Sequence, residues 1–242
     1  MKKFFTIAVA LLLTTGAVAL DNVPESGTSF QALVGFNVTN LKGFQTDMNA
    51  KAGLNIGAKL EIMLPNAYGT YINAGIDWTQ KGARRTDLNT QQYAKMVKKV
   101  NSHYLELPIH VGYRYNISDV LGVYGEVGPY FAFGVTGKYK RINADDGITD
   151  ESSERLFAKH VGSILPYDAI ENGRVFQRFD CGFGFRVGVE YDNKYSFNIG
   201  YDGGFTDMYT GDYRRQYEQR HDYSPLPKLK NHNWTMTVGY RF

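Results

Sequence analysis

A chain of 242 residues is enough for one domain of ordinary size and too short for two comfortable ones. A mean hydropathy of -0.36 with 21% charged residues excludes a polytopic helical membrane protein, while 14% aromatic content, with 18 Tyr and 15 Phe, is too rich for disorder. Setting Lys2 and Lys3 aside with the leader leaves 25 basic against 24 acidic residues, so nothing points to nucleic acid. Cys181 is the only cysteine, which excludes an intrachain disulfide framework and a multi-cysteine metal site.

Residues 1–19 read as a secretory signal peptide. Lys2 and Lys3 make a basic start, residues 4–13 are apolar, and Ala17-Val18-Ala19 is a small-x-small cleavage site. The apolar run is short and broken by Thr14, Thr15 and Gly16, which suits an address better than an anchor. Cleavage after Ala19 leaves a barrel domain, 20–242, that leaves the cytoplasm.

Beyond Leu20, apolar and polar residues alternate, the mark of strands with one greasy and one wet face. In chain order the apolar faces span 30–38, 52–64, 72–78, 105–115, 123–135, 179–189, 195–201 and 234–242, which makes eight strands. Short turns follow the second, fourth and sixth (65–69, 116–119 and 192–194). Long polar segments follow the first, third, fifth and seventh (39–50, 82–101, 139–177 and 206–233). Loops sorted by parity describe a meander standing in a membrane. The predicted fold is all-β: an eight-stranded antiparallel up-and-down transmembrane β-barrel.

The apolar face carries no charge, whereas the polar face carries Lys59, Glu61, Asp77, Glu106, Arg114, Glu126, Lys138, Asp180, Arg186, Glu190, Asp202 and Arg241. A Lys or Arg facing lipid costs about 2–4 kcal/mol at the midplane. The charges, with His110, are therefore assigned to a lumenal polar network and the apolar face to lipid. A soluble lipocalin-like cup is the competing closed barrel, but it has no use for two aromatic belts. Trp78, Phe179, Phe205 and Trp234 fall near the loop end; Tyr113, Tyr115, Tyr191, Tyr195, Tyr240 and Phe242 fall near the turn end. Glycines beside Tyr124, Tyr130, Arg114 and Arg186 read as room for large polar neighbours. An eight-stranded lumen filled in this way is a plug and a poor channel.

The closing stretch, 234–242, has apolar residues at every second place and ends on Phe242. It resembles the carboxy-terminal signal by which outer-membrane barrels are recognised by their assembly machinery. Together with Tyr104-Leu-Glu-Leu-Pro-Ile109 and the following Gly112-Tyr-Arg-Tyr115, the mature chain resembles the PorT-like outer-membrane β-barrel proteins of Bacteroidota. That resemblance implies a cell outer membrane address, contacts with outer-membrane lipid and with the assembly machinery, and a secretion-pathway partner or surface ligand. OmpA-like and OmpX-like barrels share the eight-strand plan and imply structural or surface-contact roles.

The chemistry-bearing residues make no catalytic set. His110 shares a face with Glu106 and Arg114, which reads as a satisfied polar cluster before an acid–base pair. Ser102 and His103 are adjacent, so on a strand they point to opposite faces. His221-Asp222 is the one local pair in the last loop, and no G-x-S-x-G motif accompanies it. Asp145, Asp146, Asp150 and Glu151 lack the spacing of a calcium loop and read as a solvated acidic loop. Residues 151–161 can form a short helix with Leu156, Phe157, His160 and Val161 on one side. Lys228, Lys230, Arg214 and Arg215 read first as a solvated loop, with lipopolysaccharide phosphates or a surface ligand as the alternative, and Cys181 reads as an inert lipid-facing residue. No catalytic, metal or cofactor site is assigned. The expected function is a structural or surface-interaction role carried by long extracellular loops, with a lipid-modifying enzyme or a narrow, porin-like channel as alternatives.

Overall fold

The computed structural model describes residues 27–43, 49–88, 95–145, 148–158, 174–220 and 225–242. Within them are nine strands and a helix. The strands are β1 (Gly27–Lys42), β2 (Asn49–Met63), β3 (Thr70–Leu88), β4 (Lys95–Asn116), β5 (Leu121–Asp145), β6 (Ile148–Arg155), β7 (Phe179–Tyr191), β8 (Tyr195–Gly204) and β9 (Lys230–Arg241); the helix, α1, is Gly211–Arg220. Each of β1 to β5 pairs antiparallel with the next, β5 passes to β7, and β9 returns to β1. Eight strands thus close a ring, which leaves no unpaired edge in lipid. The expected signal segment, 1–19, lies outside the described residues.

The turns have local causes. Asp192 and Asn193 both adopt positive φ, near 52° and 51°, a region Asp and Asn tolerate through their short polar side chains. Gly69, at φ 72°, closes the β2–β3 turn; its amide neighbourhood lies against the Arg114 carbonyl, so a Cβ has no space there.

The ninth strand corrects the sequence reading. Segments 82–101 and 139–177, taken there as polar loops, contain the upper halves of β3, β4 and β5 and the whole of β6. These form a four-stranded antiparallel sheet that continues the barrel wall beyond the loop end. The proposed helix over 151–161 is a second correction: β6 runs to Arg155, and a turn at Leu156 and Phe157 follows. Residues 159–173, including His160 and Val161, lie outside the described residues.

A bulge organises the change. His103 pairs with Thr136 and Tyr104 with Gly134, so Val135 is an extra residue on β5. The bulge reverses which parity faces outward. Lys138, counted in sequence with the lumenal residues, is consequently exposed on the outer wall. Just there β5 exchanges its neighbour β7 for β6.

The wall separates two chemistries. Phe36, Ile56, Ile76, Val111, Phe133, Val187, Met236 and Val238 are exposed on the outside. Gln31, Asn37, Asn55, Asn73, Asp77, Glu106, Asn198 and Thr237 are buried inside. A fold with its apolar stripe outside and its ionic stripe inside is stable in hydrocarbon rather than in water. No helix among the described residues is long and apolar enough to cross a membrane; the crossing is made by strands.

Candidate functional site

Alternation along each strand delivers one inward side chain every second residue, and the register decides which of these meet. They meet as stacked ionic layers. At the turn end, Arg114 lies 2.7 Å from Glu61 and 3.3 Å from Glu190, while Arg241 lies 2.5 Å from Glu190 and 3.3 Å from Glu61. Above them, Lys59 donates to Glu126 at 2.6 Å, and the Tyr71 hydroxyl donates to the same carboxylate oxygen at 3.0 Å. At the waist, Arg186 lies within 3.6 Å of Asp202 and contacts the His110 ring. Nearest the loops, Lys81 sits between Glu106 (2.5 Å) and Asp180 (3.7 Å), with the Tyr104 and Tyr130 rings 5.3 and 5.0 Å away.

The lumenal tyrosines are accommodated by glycine. Tyr71, Tyr124 and Tyr130 are register partners of Gly112, Gly188 and Gly182. Each ring lies across its partner: a Cβ on Gly112 would come 2.3 Å from the Tyr71 ring, and one on Gly188 would come 2.5 Å from the Tyr124 ring. Gly200 leaves similar space for the Arg186 stem. What remains at the waist is a polar cavity of about 20 Å³, lined by Asn55, Asp77, His110, Arg186 and Asn198 among others. That is room for about one water molecule.

Of the residues picked from the sequence, Lys59, Glu61, Glu106, His110, Arg114, Glu126, Asp180, Arg186, Glu190 and Arg241 all lie in these layers. His110 does not join Glu106 or Arg114, its neighbours on β4; Glu126 from the adjacent β5 and Arg186 from β7, the strand beyond it, reach it instead. Trp78, Tyr113, Tyr115, Tyr191, Tyr195, Trp234, Tyr240 and Phe242 lie on the outer wall. There Tyr195 packs on Tyr240, and Tyr240 on Phe242. Ser102 turns inward to the Lys81 carbonyl, whereas His103 turns outward and stacks on Trp78 at 5.1 Å. Arg214 is a structural residue here: it binds the Asp207 carboxylate and the Leu226 carbonyl, and lies 3.7 Å from Glu218. Of the acidic loop, Asp150 sits opposite Asn143 and Glu151 binds Lys140. Asp146 and the His221-Asp222 pair lie outside the described residues.

Three features escaped the sequence. Lys81, 1% exposed, sits just past the point where the apolar alternation of β3 ends. The helix α1 begins where the Thr210 hydroxyl accepts from the Tyr213 amide, a helix cap, and its Tyr213 and Tyr217 share one buried face. The third is the aromatic roof to which those tyrosines belong. Leu156, Phe157, Phe176, Met208, Tyr213 and Leu229 cover the loop end of the lumen, resting on Ala83, Val100, Tyr104 and Tyr139. Burial in this roof pushes the Tyr139 phenol up to about 12, against the nearby Arg141, which lowers it.

A closed eight-stranded ring with a lipid-facing apolar wall, aromatic belts and an ion-paired lumen defines an integral outer-membrane β-barrel. The chain belongs to the outer membrane protein beta-barrel domain family, whose model matches residues 22–210. No curated protein matches it. It is similar to solved structures of Ail, the attachment invasion locus protein of Yersinia pestis, in complex with the heparin analogue sucrose octasulfate (13% identity, 88% of this chain and 99% of that chain, TM-score 0.38). It is also similar to neisserial surface protein A (10%, 89% and 99%, TM-score 0.40) and to the outer membrane protein OprG from Pseudomonas aeruginosa (12%, 90% and 97%, TM-score 0.38).

Proposed function

We propose that this protein is a closed outer-membrane barrel with a non-catalytic surface-interaction role, carried by the projecting β3–β6 sheet and the α1 segment. The supporting observation is the filled lumen. Four ionic layers and an aromatic roof occupy it, and the cavity at its waist, about 20 Å³, has room for about one water molecule. What the protein presents to the outside is then the sheet raised above the membrane. Its cleaved leader, residues 1–19, its assembly through the β9 signal and a PorT-like kinship with a secretion-pathway partner are parts of the same proposal. They rest on the motifs of the sequence.

Register-matched truncation tests the reading. Arg85 faces Lys98, and Arg141 faces Ser152. Excising each hairpin beyond those pairs and closing it with a short turn should leave a folded, membrane-embedded barrel that has lost surface binding. Unchanged surface contact at normal surface levels would sink the proposal. Steady large openings of the intact protein in a planar bilayer would instead support the channel reading.

A further inference from the structure

The register of the projecting sheet sets like charges against each other. On its outward face Arg84 is directly opposite Lys99, and Lys99 is directly opposite Lys140. One row nearer the membrane, Lys138 is directly opposite Arg155. Lys51 of β2 joins them, its stem 3.3 Å from where a Cβ on outward-facing Gly82 would stand. Like charges opposite one another destabilise a sheet. Among the described residues the one ion pair on this face is Lys140–Glu151. Burial and the neighbouring Lys99 charge both lower the Lys51 ammonium from its usual range.

The position of the cluster says what relieves it. The outward face continues the lipid-facing wall without a break. The Lys138–Arg155 row stands four β3 residues above Trp78, since Gly82 shares its level through Asn101. At about 3.3 Å per residue and a tilt of about 45°, that is roughly 9 Å above the aromatic belt. Headgroups occupy the first several ångströms beyond the hydrocarbon. The lower row therefore stands at the outer edge of the headgroup layer, from which side chains as long as Lys and Arg reach back to the outer-leaflet phosphates, and the Arg84–Lys99–Lys140 row stands about 5 Å higher.

We propose that Lys51, Lys138 and Arg155, with Arg84, Lys99 and Lys140 above them, form a binding face for the phosphate groups of outer-leaflet glycolipid headgroups. The facing cations are held apart by phosphate oxygens that each row shares. This site is on the membrane-facing side of the sheet and does not depend on the interaction role proposed above.

The test uses the full mature chain in phosphatidylcholine nanodiscs, titrated with fluorescent lipid A bearing its phosphates or stripped of them. The wild type should bind the phosphorylated form several-fold more tightly, with an affinity that falls as salt rises. Lys138→Gln and Lys99→Gln should each weaken that binding about fivefold, the worth of one cation at an anionic surface. In phosphatidylcholine discs without lipid A, whose phosphates are each neutralised by a choline, the same variants should unfold at the wild-type temperature or above it, because a repulsion has been removed. Equal affinity for the two lipids overturns the proposal. So does a loss of stability in both kinds of disc, which marks a structural role. Displacement of neither lipid by soluble heparin is expected; tight, variant-sensitive heparin binding without lipid discrimination also overturns it, by assigning the face to a soluble polyanion.

Discussion

Lys81 is the clearest case of a residue whose role is set by its surroundings. Removing its charge strands Glu106 and Asp180 at 3% and 0% exposure. An uncompensated buried charge costs about 3–5 kcal/mol, so Lys81→Met should lower the free energy of unfolding in detergent by that amount. Replacing both partners of the Lys59–Glu126 pair, as Lys59→Met with Glu126→Leu, should cost far less than either change alone. Glycine offers a second comparison. Gly112→Ala drives a methyl into the Tyr71 ring and should cost about 1–3 kcal/mol, the usual penalty of overpacking. Gly125→Ala should be neutral, because its Cβ would meet nothing nearer than the Arg186 carbonyl at 4.0 Å. The inward direction of Glu126 or Arg114 was legible in the alternation. The partner of each was not, because partners sit on strands 53 to 67 residues away.

At the level of the elements, the misread segments share a cause. Within the membrane the apolar residues of β4 face out, as Leu105, Leu107 and Ile109 do. Above it the buried residues face in, as Val100 and Tyr104 do, because the surroundings change from lipid outside and ions inside to water outside and a roof inside. The hydrophobic phase shifts by one residue there, so a search for one continuous apolar-out stripe stops at the boundary. The roof carries its own prediction. Phe157→Ala should cost about 3–5 kcal/mol for the cavity yet leave planar-bilayer conductance at baseline, because the ionic layers beneath still fill the lumen. β6 carries a pH-dependent tether. The Lys140 ammonium holds the Glu151 carboxyl below the usual carboxylate range. A depressed acid stabilises above its unfolded pKa and loses that contribution as pH falls through the folded value. Hydrogen exchange in β6, corrected for its intrinsic rate, should accelerate below about pH 4, while the membrane part of β4 stays protected.

For the whole molecule, closure makes the membrane address a matter of physics as well as of sorting signals. Exposed Phe36, Ile56, Phe133 and Met236 girdle a barrel that water would penalise, so high-salt washing should leave the protein in the membrane pellet. Release into the soluble fraction would contradict the wall described here. The sequence by itself determined the barrel, its strand number in the membrane and the direction of the side chains within the membrane, because a period of two under a two-sided solvent boundary is a local signal. Only the tertiary structure decided which charges pair, that a roof closes the mouth, and that four strands run on as a sheet with cations face to face. Those outcomes depend on register and on breaks in it such as the bulge at Val135, and register is a relation between strands that no one strand carries.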